Sequence, residues 1–356
     1  MKILVLGAGN IGQVIAYKLH NDFEVTVGDV QKEKVTAIQP FAYPIQVDAR
    51  KQKALINTMS DFDVIVDALP GNLGHHSLEA AIKAKKDIVS VSFMPEDPLK
   101  LQEEAKHAEV SIIPDAGLAP GISNVCIGRI HQELDELEEG VIRVGGLPQD
   151  ARPPLFYKST WSPYDLIEEY TRNARIIREN EIVTVDPFRT IENVTIADYE
   201  LEEIITDGLR TLLKTITAQK LQERTVRWKG HLEKMKVLKE LGFFKAPHLD
   251  ATLEVLLPHM QYESEDFTIM EVIGTGTIKG TRKEIKYFLY DEKQDFTSMA
   301  RTTGFTAEVI TRLVANKTFE PSVIPPETFN INTCDKVLSG LRRRGITIER
   351  TEKTVN

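Results

Sequence analysis

Residues 1–29 read MKILVLGAGNIGQVIAYKLHNDFEVTVGD, and their order decides the fold. An apolar run, Ile3 to Leu6, meets Gly7, Gly9 and Gly12, and an amphipathic stretch follows from Ile11 to Leu19. A second apolar run, Val25 to Val27, ends at Asp29. Strand, glycine turn, helix and strand in that order make a βαβ unit with an acid at the tip of its second strand. Gly7 permits the sharp turn, Gly9 lets backbone N–H groups approach a pyrophosphate, and Gly12 lets the helix lie close to the sheet. The residues from Gly7 through Ala8, Gly9, Asn10 and Ile11 to Gly12 therefore form a dinucleotide cradle at a helix N-terminus, which favours anions. Asp29 and Val30 would face the ribose. A carboxylate there suits the two hydroxyls of NAD and repels the 2′-phosphate of NADP, so NAD is the expected cofactor.

Alternation continues beyond Asp29, as a parallel sheet covered on both faces requires. Strands are expected at Ile45–Val47, Asp63–Val66, Ile88–Ser92 and Val110–Pro114, with helices at Lys51–Met59, His75–Ala84 and Pro98–His107. Ligands of such sheets bind beyond the carboxyl ends of the strands, which adds Asp48, Ala68, Leu69, Pro70, Ser92 and Asp115 to the crevice. Asp48 suits the adenine amine or a helix cap. His75 and His76 read as solvent-facing imidazoles at a helix start, with catalysis the alternative. In DAGLAPGISN, residues 115–124, a strand end with two glycines and a proline leads into a helix, which brings Asp115 and Gly117 to the nicotinamide end. A tight crossover with Asp115 capping the helix is the structural alternative.

From about Gly140 the pattern changes. Val141–Gly145, Leu155–Ser159, Ile182–Val185, Leu253–Leu257, Thr268–Gly276 and Glu284–Tyr290 read as strands without regular helices between them. Pro163–Ala174 and Thr206–Thr217 read as helices, and Gly274 with Gly276 as a hairpin turn. Helical periodicity returns at Phe296–Val314 and toward Leu341, with Arg342 to Arg344 balancing a helix C-terminus and a strand at Ile346–Glu349. The expected architecture is α/β: a Rossmann-type doubly wound parallel sheet with an inserted α+β substrate domain of mixed or antiparallel sheet. The boundaries are 1–124 for the nucleotide domain, 125–295 for a substrate and oligomerisation domain, and 296–356 for a segment that returns to the first.

A formal net charge of −9 over 356 residues argues against a nucleic-acid surface, which needs clustered Lys and Arg. The two cysteines, Cys126 and Cys334, indicate neither a disulfide framework nor a thiolate metal site. No apolar run approaches a membrane span and no charged, apolar leader precedes the first strand. Small-molecule partners, a cytoplasmic setting, no membrane and no metal are the expectations, with a homo-oligomer, dimer or tetramer.

Several motifs together resemble the saccharopine dehydrogenase family. GAGNIG at 7–12 is its common part, and DAGLAPG at 115–121, GGLP at 145–148 and WSP with EY at 161–170 are more specific. TDGLRTL at 206–212 and VRWKGHLEKMKVL at 226–238 are the sharpest. Within the family the chain is most similar to members that oxidise the ε-amine of lysine. The resemblance implies NAD- or NADP-dependent oxidation of a C–N bond in an amino acid, or reduction of an imine.

Such chemistry needs a nitrogen with a free lone pair and a group that accepts and returns protons. Asp115 is the first candidate and His231 the second. Arg227 suits a substrate carboxylate through a bidentate pair, or else a structural ion pair. Trp161 and Tyr164 would wall the aliphatic part of the substrate, or else join the core. Asp207 suits a helix cap. Lysine oxidised at its ε-carbon to an imine, then hydrolysed to aldehyde and ammonia, is the leading reaction. A saccharopine or carboxynorspermidine-type dehydrogenase would need a second cation such as Arg175 or Arg210. A dinucleotide-binding regulator without turnover belongs to a different class.

Overall fold

The computed structural model describes residues 1–36, 38, 40–159 and 162–355. Its elements begin with β1 (Lys2–Leu6), α1 (Asn10–Leu19), β2 (Glu24–Asp29), α2 (Lys32–Thr36), β3 (Tyr43–Gln46), α3 (Gln52–Ser60), β4 (Val64–Asp67) and α4 (Gly71–Ala84). Then come β5 (Asp87–Ser90), α5 (Gln102–Ala108), β6 (Ser111–Ile113) and α6 (Ile122–Glu133). The middle of the chain supplies β7 (Glu136–Pro148), α7 (Pro163–Thr171), β8 (Ala174–Arg178), β9 (Glu181–Val185), β10 (Glu192–Ile196), β11 (Tyr199–Thr206) and α8 (Leu212–Thr215). It continues through β12 (Lys220–Trp228), α9 (His231–Glu240), α10 (Leu249–Met260), β13 (Asp266–Ile278) and β14 (Thr281–Glu292). The last elements are α11 (Ser298–Ala315), β15 (Ser322–Val323), α12 (Ile331–Arg342) and β16 (Ile348–Thr354).

Two compact units result, one of residues 1–128 with 300–345 and one of 129–299 with 346–356. The first is built on a parallel sheet of order β15-β6-β5-β4-β1-β2-β3. Every residue from Ile3 to Leu6 is buried, because helices cover both faces of a doubly wound sheet. On one face Leu4, Leu6, Leu55, Ile65, Leu78 and Ile88 form a continuous core, each contributing roughly 1.5–3 kcal/mol of burial. Strand order reverses between β1 and β4, so the switch point lies at the end of the strand that carries the glycine turn. This is the expected Rossmann-type architecture.

The second unit holds a mixed sheet of order β10-β11-β12-β7-β13-β14-β16, with β8 beside β12 and β9 beyond it. Only β12 and β7 in that path run parallel. The β11/β12 register sets Thr206 opposite Glu223, Ile204 opposite Thr225 and Glu202 opposite Arg227. Alternation along β12 therefore puts Glu223, Thr225 and Arg227 on one face. Helices α7 and α9 pack there through Leu166, Ile167, Tyr170, Leu232 and Met235, around Ile204.

Several local expectations are corrected. Leu155–Ser159 is no strand: Leu155 and Tyr157 are buried in alternation, but the segment has no ladder partner. Leu253–Leu257 lies inside α10, where Leu253, Leu256 and Met260 are buried at helical spacing while Val255 is exposed. The expected helix at Thr206–Thr217 shrinks to α8, because β11 runs through Thr206 and carries a row of buried β-formers. Gly274 and Gly276 stand within β13 beside a bulge, and the hairpin turns at Lys279 and Gly280, both with positive φ. A Cβ on Gly276 would lie 1.9 Å from the Glu136 carbonyl oxygen, so close strand approach is what that glycine serves. His75 sits inside α4, which starts four residues earlier at Gly71. The closing strand, β16, pairs with β14 in the second unit instead of returning to the first. Arg344 both donates to the Gly340 carbonyl at its helix end and pairs with buried Glu308.

Candidate active-site residues

The glycine turn is held from two sides. Gly7, at φ +98°, donates to the Gly28 carbonyl at 2.7 Å, and a Cβ there would lie 2.5 Å from the Ala68 carbonyl oxygen. A Cβ on Gly12 would lie 1.9 Å from the Gly7 oxygen. Gly9 differs, because nothing lies within 4 Å of a Cβ built on it. Packing therefore does not demand glycine at 9, and the open space before α1 suits a bulky ligand approaching the backbone. Gly9 is the N-cap of α1 with no side-chain cap, so the amides of Asn10, Ile11 and Gly12 have no intrahelical acceptor. The cradle thus fits a dinucleotide pyrophosphate.

Asp29 accepts 2.8 Å hydrogen bonds from Ala8 N and Gln31 N, one on each oxygen. Its carboxylate is thereby fixed between the glycine turn and the end of β2, with Val30 47% exposed beside it. Asp48 forms an exposed pair with Arg50, 2.8 Å from Nε, which holds its carboxyl below the usual range. It does not cap α3, whose N-cap is Lys51.

At the end of β4 lies a group the sequence did not single out. Asp67 is fully buried and accepts from Ser90 Oγ at 2.7 Å, Ser92 Oγ at 2.9 Å and Leu69 N at 3.1 Å. Burial pushes its carboxyl up to about 6, against the opposing pull of those donors. Ser92 also lies 2.7 Å from the Leu69 carbonyl, so it braces the Ala68–Leu69–Pro70 turn from beneath. Asp115 follows β6 with φ +55° and is 1% exposed. Ile122 N and Ser123 N donate to the Gly117 and Leu118 carbonyls, and Gly121 N donates to Asn124 Oδ1.

In the second unit, β12 and α7 assemble a polar cluster beside the apolar core. Arg227 donates through Nη2 to Glu169 at 2.7 Å, through Nε to the Tyr170 hydroxyl at 2.9 Å and through Nη1 to the Val226 carbonyl at 2.9 Å. His231 Nδ1 lies 2.7 Å from the Leu155 carbonyl, which can only accept, so Nδ1 carries the proton and Nε2 accepts from the Tyr170 hydroxyl at 2.9 Å. Burial foremost, then the Arg227 charge, lowers His231 to about 3. The imidazole is thus neutral near neutral pH, with both ring nitrogens engaged. The Tyr157 ring lies tilted at 32° to the His231 ring, 5.1 Å away, and 5.1 Å from the Arg227 guanidinium. Arg227, 4% exposed, is held in an ion pair with Glu169.

Further along the same face, Thr225 donates to the other Glu169 oxygen at 2.6 Å and lies 3.0 Å from the Thr206 hydroxyl, which in turn contacts Glu223. Glu223 is buried, and burial pushes its carboxyl up to about 8 although Thr206 opposes this. Asp207 caps no helix; it takes a two-pronged pair from Arg175, at 2.9 Å on each oxygen. Tyr164 is 53% exposed and donates to Asp250 at 3.0 Å, so it does not join the core. Trp161 lies outside the described residues. Sequence reading missed Glu169, Tyr170, Tyr157, Thr206, Thr225 and Glu223 as a group. Their linear signals were EY at 169–170 and the Thr206 that opens TDGLRTL, neither of which shows what it faces.

Two family models match the chain: the saccharopine dehydrogenase NADP binding domain over residues 3–113, and the saccharopine dehydrogenase C-terminal domain over residues 117–346. Among curated proteins, the saccharopine dehydrogenase (NADP+, L-glutamate-forming) of Saccharomyces cerevisiae is 25% identical over 260 residues, 68% of this chain and 58% of its own. The mitochondrial alpha-aminoadipic semialdehyde synthase of Bos taurus is 26% identical over 213 residues, 56% of this chain and 23% of its own. The chain thus spans well under two thirds of these two relatives. Among solved structures, the apo saccharopine dehydrogenase (L-Glu forming) from Saccharomyces cerevisiae superposes with TM-score 0.84 at 22% identity, covering 100% of both chains. The homospermidine synthase of Legionella pneumophila in complex with NAD gives 0.65 at 9% identity, covering 99% of this chain and 91% of its own. At these identities the structural likeness speaks for the fold alone.

Proposed function

The chain belongs to the saccharopine dehydrogenase family, and from that premise we propose that it oxidises a C–N bond of an amino acid with NAD, L-lysine at its ε-carbon being the leading substrate. A nicotinamide cofactor is common ground with the matched nucleotide domain and with the relatives' names. The preference for NAD rests on Asp29, whose fixed carboxylate would repel a 2′-phosphate. Bound nicotinamide would take up the hydride that leaves the carbon bearing nitrogen.

One observation carries the choice of an amine: beside the Arg-paired carboxylates Glu169 and Asp207 lies a buried acid, Glu223, whose carboxyl burial raises to about 8, so that it can take up a proton near the pH of turnover. A lysine amine with pKa ~10.4 costs about 4.6 kcal/mol to neutralise at pH 7, at ~1.36 kcal/mol per unit. Burial of the amine lowers that cost, and a carboxyl with a raised pKa is a better acceptor of its proton than an ordinary one. Asp115 is the proposed group that orients the amine, with Gly117 beside it. His231 and Tyr170 hold Arg227, and Arg227 holds Glu169 in place.

A second reading, cleavage of saccharopine, is favoured by the names of the relatives. Against it, Arg227 and Arg175 are already held by carboxylates of the chain, so a substrate with several carboxylates would have to draw on Arg210 as its second cation. Product identification separates the two. With L-lysine and NAD the proposal predicts ammonia and an aldehyde, and with saccharopine no release of glutamate. Glutamate released from saccharopine, with lysine inert, would replace the leading reading by the second.

A further inference from the structure

The cluster on β11, β12 and α7 poses a problem of proton counting. Three oxygen–oxygen contacts join four side chains in a row: Glu169 to Thr225 at 2.6 Å, Thr225 to Thr206 at 3.0 Å, and Thr206 to Glu223. Each contact needs one proton, yet a threonine hydroxyl supplies only one. Two hydroxyls serve two contacts, so the third proton resides on a carboxyl at one end of the row. Glu169 is the charged end, because Arg227 donates to it at 2.7 Å. Glu223 is 5% exposed and its carboxyl contact is a neutral hydroxyl. The proton therefore belongs to Glu223.

With that assignment every donor points the same way. The Glu223 hydroxyl donates to Thr206, Thr206 to Thr225, and Thr225 to the Glu169 carboxylate. We infer that these four side chains form a proton relay, with Glu223 the proton store, Glu169 the end that exchanges with the substrate nitrogen, and the two threonine hydroxyls the conductors. The exchanging end is chosen by access: the Glu169 side chain is 19% exposed. Assigning the nitrogen as its partner rests on the proposed amine chemistry. Oxidation of an amine sends a hydride to the nicotinamide and a proton from nitrogen. That proton enters at Glu169, each hydroxyl passes its own proton onward, and Glu223 ends protonated. Imine reduction runs the row in reverse.

The ionisable groups facing Glu223 are Glu169 from α7, Arg227 further along β12, and Asp207 after β11, the last held by Arg175 from β8. Burial dominates and raises Glu223 to about 8. Below that pH the store is full and can only give; above it the store is empty and can accept. Amine oxidation is then expected to rise with pH through about 8. Gly208 makes room for the store, since a Cβ there would lie 2.7 Å from the Glu223 carboxyl.

The test has two arms on the full chain. Infrared titration follows the carbonyl band of a protonated carboxylic acid, with wild type compared against Glu223→Gln and Glu169→Gln. A band that titrates near pH 8, vanishes in Glu223→Gln and survives in Glu169→Gln supports the store; its absence from wild type between pH 6 and 7 overturns it. The second arm records kcat against pH with NAD and the amine. Thr206→Val and Glu223→Gln are expected to lower kcat about 100-fold and abolish the inflection near 8, while Thr206→Ser retains it. A wild-type inflection persisting in Glu223→Gln overturns the coupling. Failure to turn over any amine with the band intact sinks the amine reading and still supports the store.

Discussion

Gly9 and Gly12 stand three residues apart and answer to different constraints. A Cβ on Gly12 would strike the Gly7 carbonyl, whereas one on Gly9 would meet open space. Gly9→Ala, at φ −73°, is expected to fold with a loss below about 1 kcal/mol, the scale of a weakened N-cap. Its dinucleotide affinity should nevertheless fall at least tenfold. Thermal unfolding beside calorimetric NAD titration checks this, and unchanged affinity would detach the cradle from the cofactor. Asp29→Ser addresses cofactor choice. NAD affinity should drop while NADP affinity holds or rises, and equal losses would leave Asp29 as merely the clamp on Ala8 that the structure shows. His231 carries a pH prediction. Unfolded histidine takes a proton near its ordinary 6.5, but the folded side chain does so only near 3. Its stabilisation is complete above 6.5 and is lost as pH falls toward 3. His231→Gln should flatten that part of the stability curve. It should also cost about 1–3 kcal/mol at neutral pH wherever the Leu155 carbonyl or Tyr170 hydroxyl loses its partner. A parallel curve for the variant would remove His231 as the source.

At the scale of elements, the helices and strands of the first unit were legible because each obeys one period. The buried stripe of α1 and the unbroken apolar run of β1 carry their own signals. The second unit was harder. Leu253, Val255 and Leu256 look strand-like in a five-residue window, and only burial at Leu253, Leu256 and Met260 discloses α10. Thr206 and Glu223 become neighbours through the register of β11 on β12, a pairing of residues seventeen apart that no local pattern encodes. The polar cluster was illegible for that reason: its members come from α7, β11, β12 and α9, and the motif containing Glu169 and Tyr170 gives no sign of what they face. Glu223 also links this element pair to stability. Its carboxyl moves from its ordinary 4.5 to about 8, so the folded state binds the extra proton and stability declines as pH climbs between those values. Glu223→Gln should gain on wild type most clearly above pH 8 in denaturant titrations. An unchanged difference between pH 5 and pH 9 would contradict a buried neutral acid.

For the whole molecule, the chain divides its labour between a parallel sheet ending in the glycine turn and a mixed sheet carrying the acid cluster. The glycine motif with its strands, helix and acid was enough to read the first of these directly. The chemistry was legible only through motifs spread along the chain, since spacing alone could not decide between Asp115 and His231. In the fold His231 has both ring nitrogens engaged, by the Leu155 carbonyl and the Tyr170 hydroxyl. No helix among the described residues is long and apolar enough to cross a membrane. Initial-rate reduction of NAD by L-lysine, beside ornithine, saccharopine and no amine, tests the central claim most directly. The account predicts NADH formation with lysine, ammonia in equal amount, and a rate that increases with pH through about 8. Saturable NAD binding without turnover of any amine would contradict it and point to a regulator that holds the dinucleotide without using it.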